Sequence, residues 1–437
     1  MSAGFKEKSL YWLGLLGLPF YALIHLLPRD KKLWVFGSSF GRRFADNPRY
    51  LYLYLSMPSR GKAETAPGPI TAQPSVIPPS SLRRQGDKMH GITPVWISGD
   101  KRIVRFLSSK GLSAFYQKSA AGRFAALKAG VYIYDNYSKD INFWLSGGAL
   151  KVNLWHGVGN KRINHDNIHD KVRHPKNLWE RFKTFPRRIS DEKPTDYILC
   201  TSKEMGKYFK KAFRVLPGHV LCEGYPRCDA LFDEELLKIL LPAEKKLLSK
   251  IKSRNAGRMI AYLPTFRESE NLFFETVDLI KLEEFLKERD YLLVIKPHPK
   301  SFITERLMQF QSEHILTAGP DIDVCTFLGR ADMLITDYSS AYTDYMLLDR
   351  PVIAFTYDED EYLKNSRDYF IDQREYMPER IAKDMDSLLE QIDKAFENDI
   401  CHEARMLARK RMFDRPDGNA CARVSSRIYD LAFGVRK

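Results

Sequence analysis

From Lys32 onward, short apolar runs alternate with longer, charged, helix-like stretches. LWVFGSS (Leu33–Ser39), PVWIS (Pro94–Ser98), VYIY (Val131–Tyr134) and KVNLW (Lys151–Trp155) have the character of buried strands. Asn47-Pro48 supplies a helix start before RYLYLYL. A second series follows: YILC (Tyr197–Cys200), Val220–Cys222, MIAYL (Met259–Leu263), LLVI (Leu292–Ile295), MLI (Met333–Ile335) and VIAF (Val352–Phe355). Helical stretches such as LIKLEEFLKERD (Leu279–Asp290) separate them. Strands alternating with helices predict an α/β protein whose parallel sheets are covered on both faces. Two doubly wound domains in tandem are expected to face a cleft, with ligands at the C-terminal ends of the strands.

The boundaries follow from breaks in this pattern. Residues 1–30 form a hydrophobic N-terminal helix, 31–215 an N-terminal α/β domain, 216–380 a C-terminal α/β domain, and 381–437 a charged helical tail that packs back. Residues 57–93 interrupt the first domain with Pro58, Pro67, Pro69, Pro74, Pro78 and Pro79 and few apolar side chains. Such a stretch buries too little surface to order itself, so a disordered insertion is expected. The apolar segment Leu10–Leu27 contains no Asp, Glu, Lys or Arg, and Lys6, Lys8, Arg29, Lys31 and Lys32 flank it. It is barely long enough to span a bilayer, and Pro19 interrupts it. A monotopic anchor at the headgroups, a helix buried on the protein body and a true span all fit.

A length of 437 residues allows two or three domains with ample core. A hydrophobic fraction of 44% argues against disordered, collagenous and polytopic membrane classes. The net charge of +14 favours an anionic partner: nucleic acid, lipid headgroups or a phosphate-rich substrate. No recognition helix or RNA-binding aromatic motif stands out, so nucleic acid is not expected as a partner. Six scattered cysteines without a C-x-x-C pair point to free thiols rather than zinc ligands or a disulfide scaffold.

Four polar clusters follow directly on predicted strands. Trp155-His156-Gly157 puts an imidazole, which titrates near neutral pH, at an accessible strand end where it suits a general base. A structural histidine bonded to a carbonyl would look the same. Pro264-Thr265-Phe266-Arg267 offers a planar guanidinium and a hydroxyl for phosphate oxygens, or an ordinary ion pair. Lys296-Pro297-His298-Pro299 holds a histidine in a rigid turn beside a cation, suited to an oxyanion or diphosphate. Thr336-Asp337-Tyr338-Ser339-Ser340 runs a strand into a helix whose first turn carries two hydroxyls, a phosphate-ready start or a plain N-cap. Together they fit transfer from a nucleotide diphosphate, and the absence of G-x-x-x-x-G-K-[ST] and G-x-G-x-x-G argues against P-loop and simple dinucleotide sites. Three further features are weaker. His165 and His169, beside Asp166 and Asp170, have metal-like spacing but read better as a solvated helix. Gly37-Ser38-Ser39-Phe40-Gly41 fits a strand-ending turn, and the basic stretch Asn177–Arg188 fits a solvated face or a surface for anionic acceptor or lipid.

VNLWHG, Gly224-Tyr225-Pro226-Arg227-Cys228-Asp229, YLPTFR, IKPHP and ITDYSSAYTDYMLLDRPVIAF, in this order, resemble the CDP-glycerol glycerophosphotransferase family of teichoic acid and capsule enzymes. FGSSFGRRFADNPRYLYLYL resembles it too. The resemblance implies a GT-B-like fold, an acceptor-side N-terminal domain, a CDP-donor C-terminal domain, and peripheral attachment at the cytoplasmic face of the cell membrane. It implies transfer of a polyol phosphate from a CDP-polyol donor to a hydroxyl of a lipid-linked or polymeric polyol-phosphate or glycan acceptor, releasing CMP. His156 then resembles the base, His298 and Arg267 diphosphate ligands, and Ser339 and Ser340 phosphate ligands. Thr265, Lys296 and Asp337 complete the expected donor site, and Glu361 resembles a residue bonding the ribose. No cofactor or metal ligand is expected, with Mg²⁺ left open. VGNKR after WHG departs from the commonest teichoic pattern and makes acceptor preference an open question, although Lys161 keeps a cation there. A GT-B glycosyltransferase using a nucleotide sugar is the alternative.

Overall fold

The computed structural model describes residues 15–57, 91–192, 195–267, 271–299, 301–310, 312–359, 362 and 368–435. Residues 58–90 of the expected insertion, the first fourteen residues and Glu361 lie outside the described residues. The chain divides into two compact units. One runs to His156, resumes from Ile163 to Leu236 and takes in the chain from Asp414. The other holds Gly157–Arg162 and Leu237–Phe413.

The first unit is built on seven parallel strands: β1 (Asp30–Phe36), β2 (Thr93–Ser98), β3 (Ala114–Tyr116), β4 (Ala129–Tyr134), β5 (Leu150–Asn153), β6 (Tyr197–Cys200) and β7 (Val220–Cys222). Their order is β3-β2-β1-β4-β5-β6-β7. Every residue of β4 is buried, because helices cover both faces and no side needs polar residues. The helix Asp46–Ser56 buries Tyr50, Leu51, Tyr52 and Leu53. The second unit carries six parallel strands: β8 (Arg258–Leu263), β9 (Tyr291–Ile295), β10 (Ile315–Thr317), β11 (Met333–Thr336), β12 (Val352–Phe355) and β13 (Arg380–Ala382). Their order is β10-β9-β8-β11-β12-β13. In each sheet the strand order reverses once, between β1 and β4 and between β8 and β11. Such reversals open a crevice at the strand ends, where doubly wound sheets bind ligands.

The sheets also move the sequence-based boundaries. β6 and β7 extend the first sheet through parallel pairing of Val152 with Tyr197 and of Ile198 with Val220. The first unit therefore reaches Leu236 instead of ending at 215. The tail is split: β13 and the helices Met385–Glu397 and His402–Met412 belong to the second unit, and only the chain from Asp414 returns to the first. Its last helix, Ala420–Phe433, is fastened at its start by the buried Asp229 carboxyl, which accepts the Ala420 N–H (2.9 Å) and the Cys421 N–H (2.7 Å). These are two of the amides a helix leaves unpaired at its start.

At the N-terminus the described residues form a 3₁₀ turn, Leu15–Gly17, and a seven-residue helix, Leu18–Ile24, with Pro19 in its first turn. Tyr21 and Ile24 are buried, with Tyr21 stacked on Phe143 at 4.9 Å, while Leu16, Phe20, Leu23 and Leu26 are exposed. Among the described residues no helix is long and apolar enough to cross a membrane. The stretch holding His165 and His169 is a 3₁₀ turn followed by further turns, not the solvated helix expected, and among the described residues no cluster of metal ligands forms. All six cysteines are free thiols.

Candidate functional site

In the first unit, the residues after β1, β4 and β5, three adjacent strands, come together. Gly37-Ser38-Ser39-Phe40-Gly41 turns sharply, with positive φ at Ser39 (50°), Phe40 (58°) and Gly41 (77°). Two carboxyls hold this turn. Asp135 accepts the Ser38 hydroxyl and the Ser39 N–H (3.0 Å), and Asp140 accepts the Phe40 N–H (2.8 Å) and the Asn136 N–H (2.9 Å). A Cβ on Gly37 would lie 2.7 Å from the Ile141 side chain, so only glycine fits there. Burial pushes both carboxyls up. The neighbouring Asp135 charge raises Asp140 further, and the Asp46 charge raises Asp135.

His156 stands beyond β5 on a backbone that turns through φ +52° at Trp155 and +146° at Gly157. Its ring is exposed and lies 4.0 Å from the Trp155 ring, and its Nδ1 is 3.1 Å from the Asp135 carbonyl. A carbonyl only accepts, so Nδ1 carries a proton, and in the neutral ring Nε2 keeps its lone pair. That is the tautomer a general base needs.

In the second unit, three expected clusters lie at the ends of neighbouring strands, in the order β9, β8, β11. The reversal between β8 and β11 puts Pro264–Arg267 and Asp337–Ser340 side by side. Asp337 accepts the Thr265 N–H (3.0 Å) and the Thr265 hydroxyl (3.0 Å). Every N–H of the Arg267 guanidinium has a protein acceptor. Nη2 donates to Asp337 (2.8 Å) and to Asp358 (3.0 Å), Nε donates to Asp358, and Nη1 donates to the carbonyl (3.0 Å) and hydroxyl of Thr265. Burial alone would lower the Arg267 pKa, but Asp337 and Asp358 outweigh it and hold the guanidinium charged. Tyr338 and Tyr362 stack at 3.9 Å, with Arg267 4.7 Å and the Lys161 ammonium 4.8 Å from the Tyr362 ring. Arg267 thus stands as the counter-charge of two buried carboxylates.

His298 is exposed, with its ring 5.9 Å from that of Phe266, so the β8 and β9 loops touch. Lys296 is buried, and its ammonium donates to the Gly319 carbonyl (3.3 Å). After β11, Ser339 Oγ accepts the Ala341 N–H (3.2 Å) at the start of the short helix Ala341–Tyr345. A Cβ on Gly159 would meet Ser340 Cβ at 3.2 Å, so the segment 157–162 passes close to this start. Sequence reasoning missed Asp135 and Asp358, though each follows an apolar strand as the recognised clusters do. Asn47 and Arg227, which hold the backbone at His156, lie in segments that carry the family resemblance, but nothing in the sequence links either one to that turn.

Two doubly wound parallel sheets with polar motifs at the strand ends beside their reversal points are an architecture that binds ligands in those crevices. The sequence pattern of the CDP-glycerol:poly(glycerophosphate) glycerophosphotransferase family matches residues 78–430. The chain is 24% identical over 432 residues to the teichoic acid glycerol-phosphate transferase of Staphylococcus aureus, covering 94% of this chain and 95% of the relative. It is 24% identical over 386 residues to the teichoic acid poly(glycerol phosphate) polymerase of Bacillus spizizenii, covering 86% of each. The solved structure of the wall teichoic acid polymerase TagF superposes with a TM-score of 0.67 at 21% identity, covering all of both chains. The chain belongs to the CDP-glycerol:poly(glycerophosphate) glycerophosphotransferase family. It is an enzyme of the CDP-glycerol glycerophosphotransferase type.

Proposed function

We propose that this enzyme moves glycerol phosphate or ribitol phosphate from a CDP-polyol to an acceptor hydroxyl of a teichoic-acid-like or capsular polymer, releasing CMP. His156 Nε2 takes the acceptor proton as that oxygen attacks the phosphorus bearing the polyol. The new O–P bond forms as the bond from that phosphorus to the CMP oxygen breaks. Phosphoryl transfer of this kind needs chiefly positioning and charge neutralisation. In the second unit, His298 and the hydroxyls of Ser339 and Ser340 bind the diphosphate, with Thr265 and Asp337 as the frame beneath them. Arg267 neutralises Asp337 and Asp358, which would otherwise repel the donor, and Lys296 and Glu361 complete the donor site. The observation that carries this reading is the His156 ring, tethered at Nδ1 and exposed, beside a backbone turn fixed on both sides. The test is incubation of the purified protein with CDP-glycerol or CDP-ribitol and a primed acceptor, with products weighed by mass spectrometry. CMP release with mass growth by polyol-phosphate steps is the expected result. Growth by sugar units from a nucleotide sugar, without activity on either CDP-polyol, would establish the glycosyltransferase alternative, and a chelator arm decides whether Mg²⁺ takes part.

The enzyme works at an anionic membrane surface in this reading. The helix Leu178–Glu192 exposes Leu178, Trp179, Phe182 and Phe185, an i, i+1, i+4, i+7 stripe, with Lys176, Arg181, Lys183 and Arg187 exposed around it. Trp179 is 62% and Leu178 83% exposed, which a purely aqueous face does not favour. Apolar side chains among cations are the pattern of interfacial helices on anionic lipid. Replacing both Trp179 and Phe182 by Ser is expected to weaken cosedimentation with phosphatidylglycerol vesicles by about tenfold or more. Turnover on a soluble acceptor stays unchanged. Vesicle binding equal to the parent protein would remove this helix from the docking surface.

A further inference from the structure

The segment Gly224–Asp229 carries residues that the chemistry above leaves without a role. Arg227 lies in the short helix Pro226–Asp229, with only 8% of its side chain exposed. Its Nη1 donates to the His156 carbonyl (2.7 Å) and to Asp46 Oδ1 (3.0 Å), while its main-chain N–H donates to Asn47 Oδ1 (3.1 Å). Asn47 is fully buried, and its amide nitrogen donates to the Trp155 carbonyl (2.8 Å) and the Leu154 carbonyl (3.2 Å). The Asn47 amide therefore has one orientation that satisfies all its partners: oxygen toward Arg227, nitrogen toward the β5 end. Three successive carbonyls, Leu154 to His156, are tied by two side chains from distant parts of the sequence.

The tie falls where the backbone is least willing to stay. Trp155 has φ +52° and Asp46 has φ +64°, left-handed conformations that cost a non-glycine residue free energy and persist only when the surroundings over-determine them. A hydrogen bond from a guanidinium to a carbonyl is charge-assisted and stronger than a neutral one, enough to hold such a turn. The His156 ring is fixed separately, through Nδ1 and the Trp155 face. We propose that Arg227 and Asn47, with Asp46 anchoring the guanidinium, are positioning residues that set the place of His156 Nε2 in the transfer reaction. This inference rests on the reading of His156 as the base.

Displacing a reacting group by about 1 Å costs about 10²-fold in rate. The experiment uses the full chain, with CDP-glycerol and a primed poly(glycerol phosphate) acceptor. Arg227→Ala and Asn47→Ala are each expected to lower kcat about 10²-fold. The dissociation constant for CDP-glycerol, read by calorimetry, stays within about twofold, because the donor groups belong to β8, β9 and β11. Arg227→Lys keeps a cation beside Asp46 without the planar fork, folds like the parent, and recovers part of the lost rate. The double variant His156→Ala/Arg227→Ala is expected to be no slower than His156→Ala alone, since Arg227 acts through that ring. Multiplying losses in the double variant, or kcat within about threefold of the parent in both Arg227 variants, would overturn the proposal. If His156→Ala itself keeps turnover, the base assignment fails. If His156→Ala is inactive while the Arg227 variants are unaffected, only the positioning role fails.

Discussion

Replacing His156 by Ala is expected to reduce turnover with CDP-glycerol by about 10²- to 10⁴-fold, the range that a positioned general base contributes. The expectation follows from the ring's setting. Its Nδ1–H is spent on the Asp135 carbonyl, so Nε2 presents a lone pair on an exposed face. Folding is barely touched, because truncation removes one neutral hydrogen bond, worth about 1 kcal/mol, and leaves no buried charge. Donor affinity is expected to stay level, since the donor groups proposed above follow β8, β9 and β11. Stopped single-turnover mixtures, with CMP release measured against time, give the rate directly. Turnover within a few-fold of the parent would remove His156 from the chemistry. His156→Gln is expected to be no better than Ala: an amide can replace the hydrogen bond but cannot take the acceptor proton.

Arg267→Ala is expected to cost more in stability than any other single change at the site, about 3–5 kcal/mol. The substitution strips a buried guanidinium from two carboxylates whose side chains are 2% and 4% exposed. Their charges then face a poorly solvating interior and each other. Urea unfolding of the variant beside its parent measures that loss as a lower midpoint. Asp358→Asn in the same chain removes one of the stranded charges and is expected to recover part of the loss. Arg267→Lys is expected to recover little, because one ammonium cannot replace a fork that reaches two carboxylates and Thr265 at once. Donor binding is expected to weaken alongside, since Asp337 holds the Thr265 N–H and hydroxyl and the Tyr338 N–H. An Arg267→Ala protein as stable as its parent would show that the two carboxylates do not depend on this cation.

Much of this architecture is written in the local pattern. β6, β7 and β12 are observed with the predicted bounds, and the other long strands begin or end within a few residues of expectation. A strand buried on both faces must be continuously apolar, and that signal survives without any tertiary knowledge. β3, β10 and β13 escaped the sequence reading, and each is a three-residue strand at the margin of its sheet. Their partial exposure leaves no apolar run to detect. The domain boundary at 215 was misplaced for a related reason: strand-like segments announce their conformation but not their neighbours, and pairing alone assigned β7 to the first sheet.

For the site, sequence alone placed His156, Thr265, Arg267, Lys296, His298, Asp337, Ser339 and Ser340 at strand ends, because strands and the turns that follow them are local features. What each of those side chains touches was decided by tertiary structure. A guanidinium free to meet phosphate and one saturated by Asp337 and Asp358 have the same spelling in the sequence, and only the adjacency of β8, β11 and β12 distinguishes them. Likewise, Arg227 and Asn47 lie 180 positions apart and meet through one hydrogen bond. A chain's order fixes which residues share a strand or a turn, while hydrogen bonds between distant segments form only once the sheet has brought them within reach.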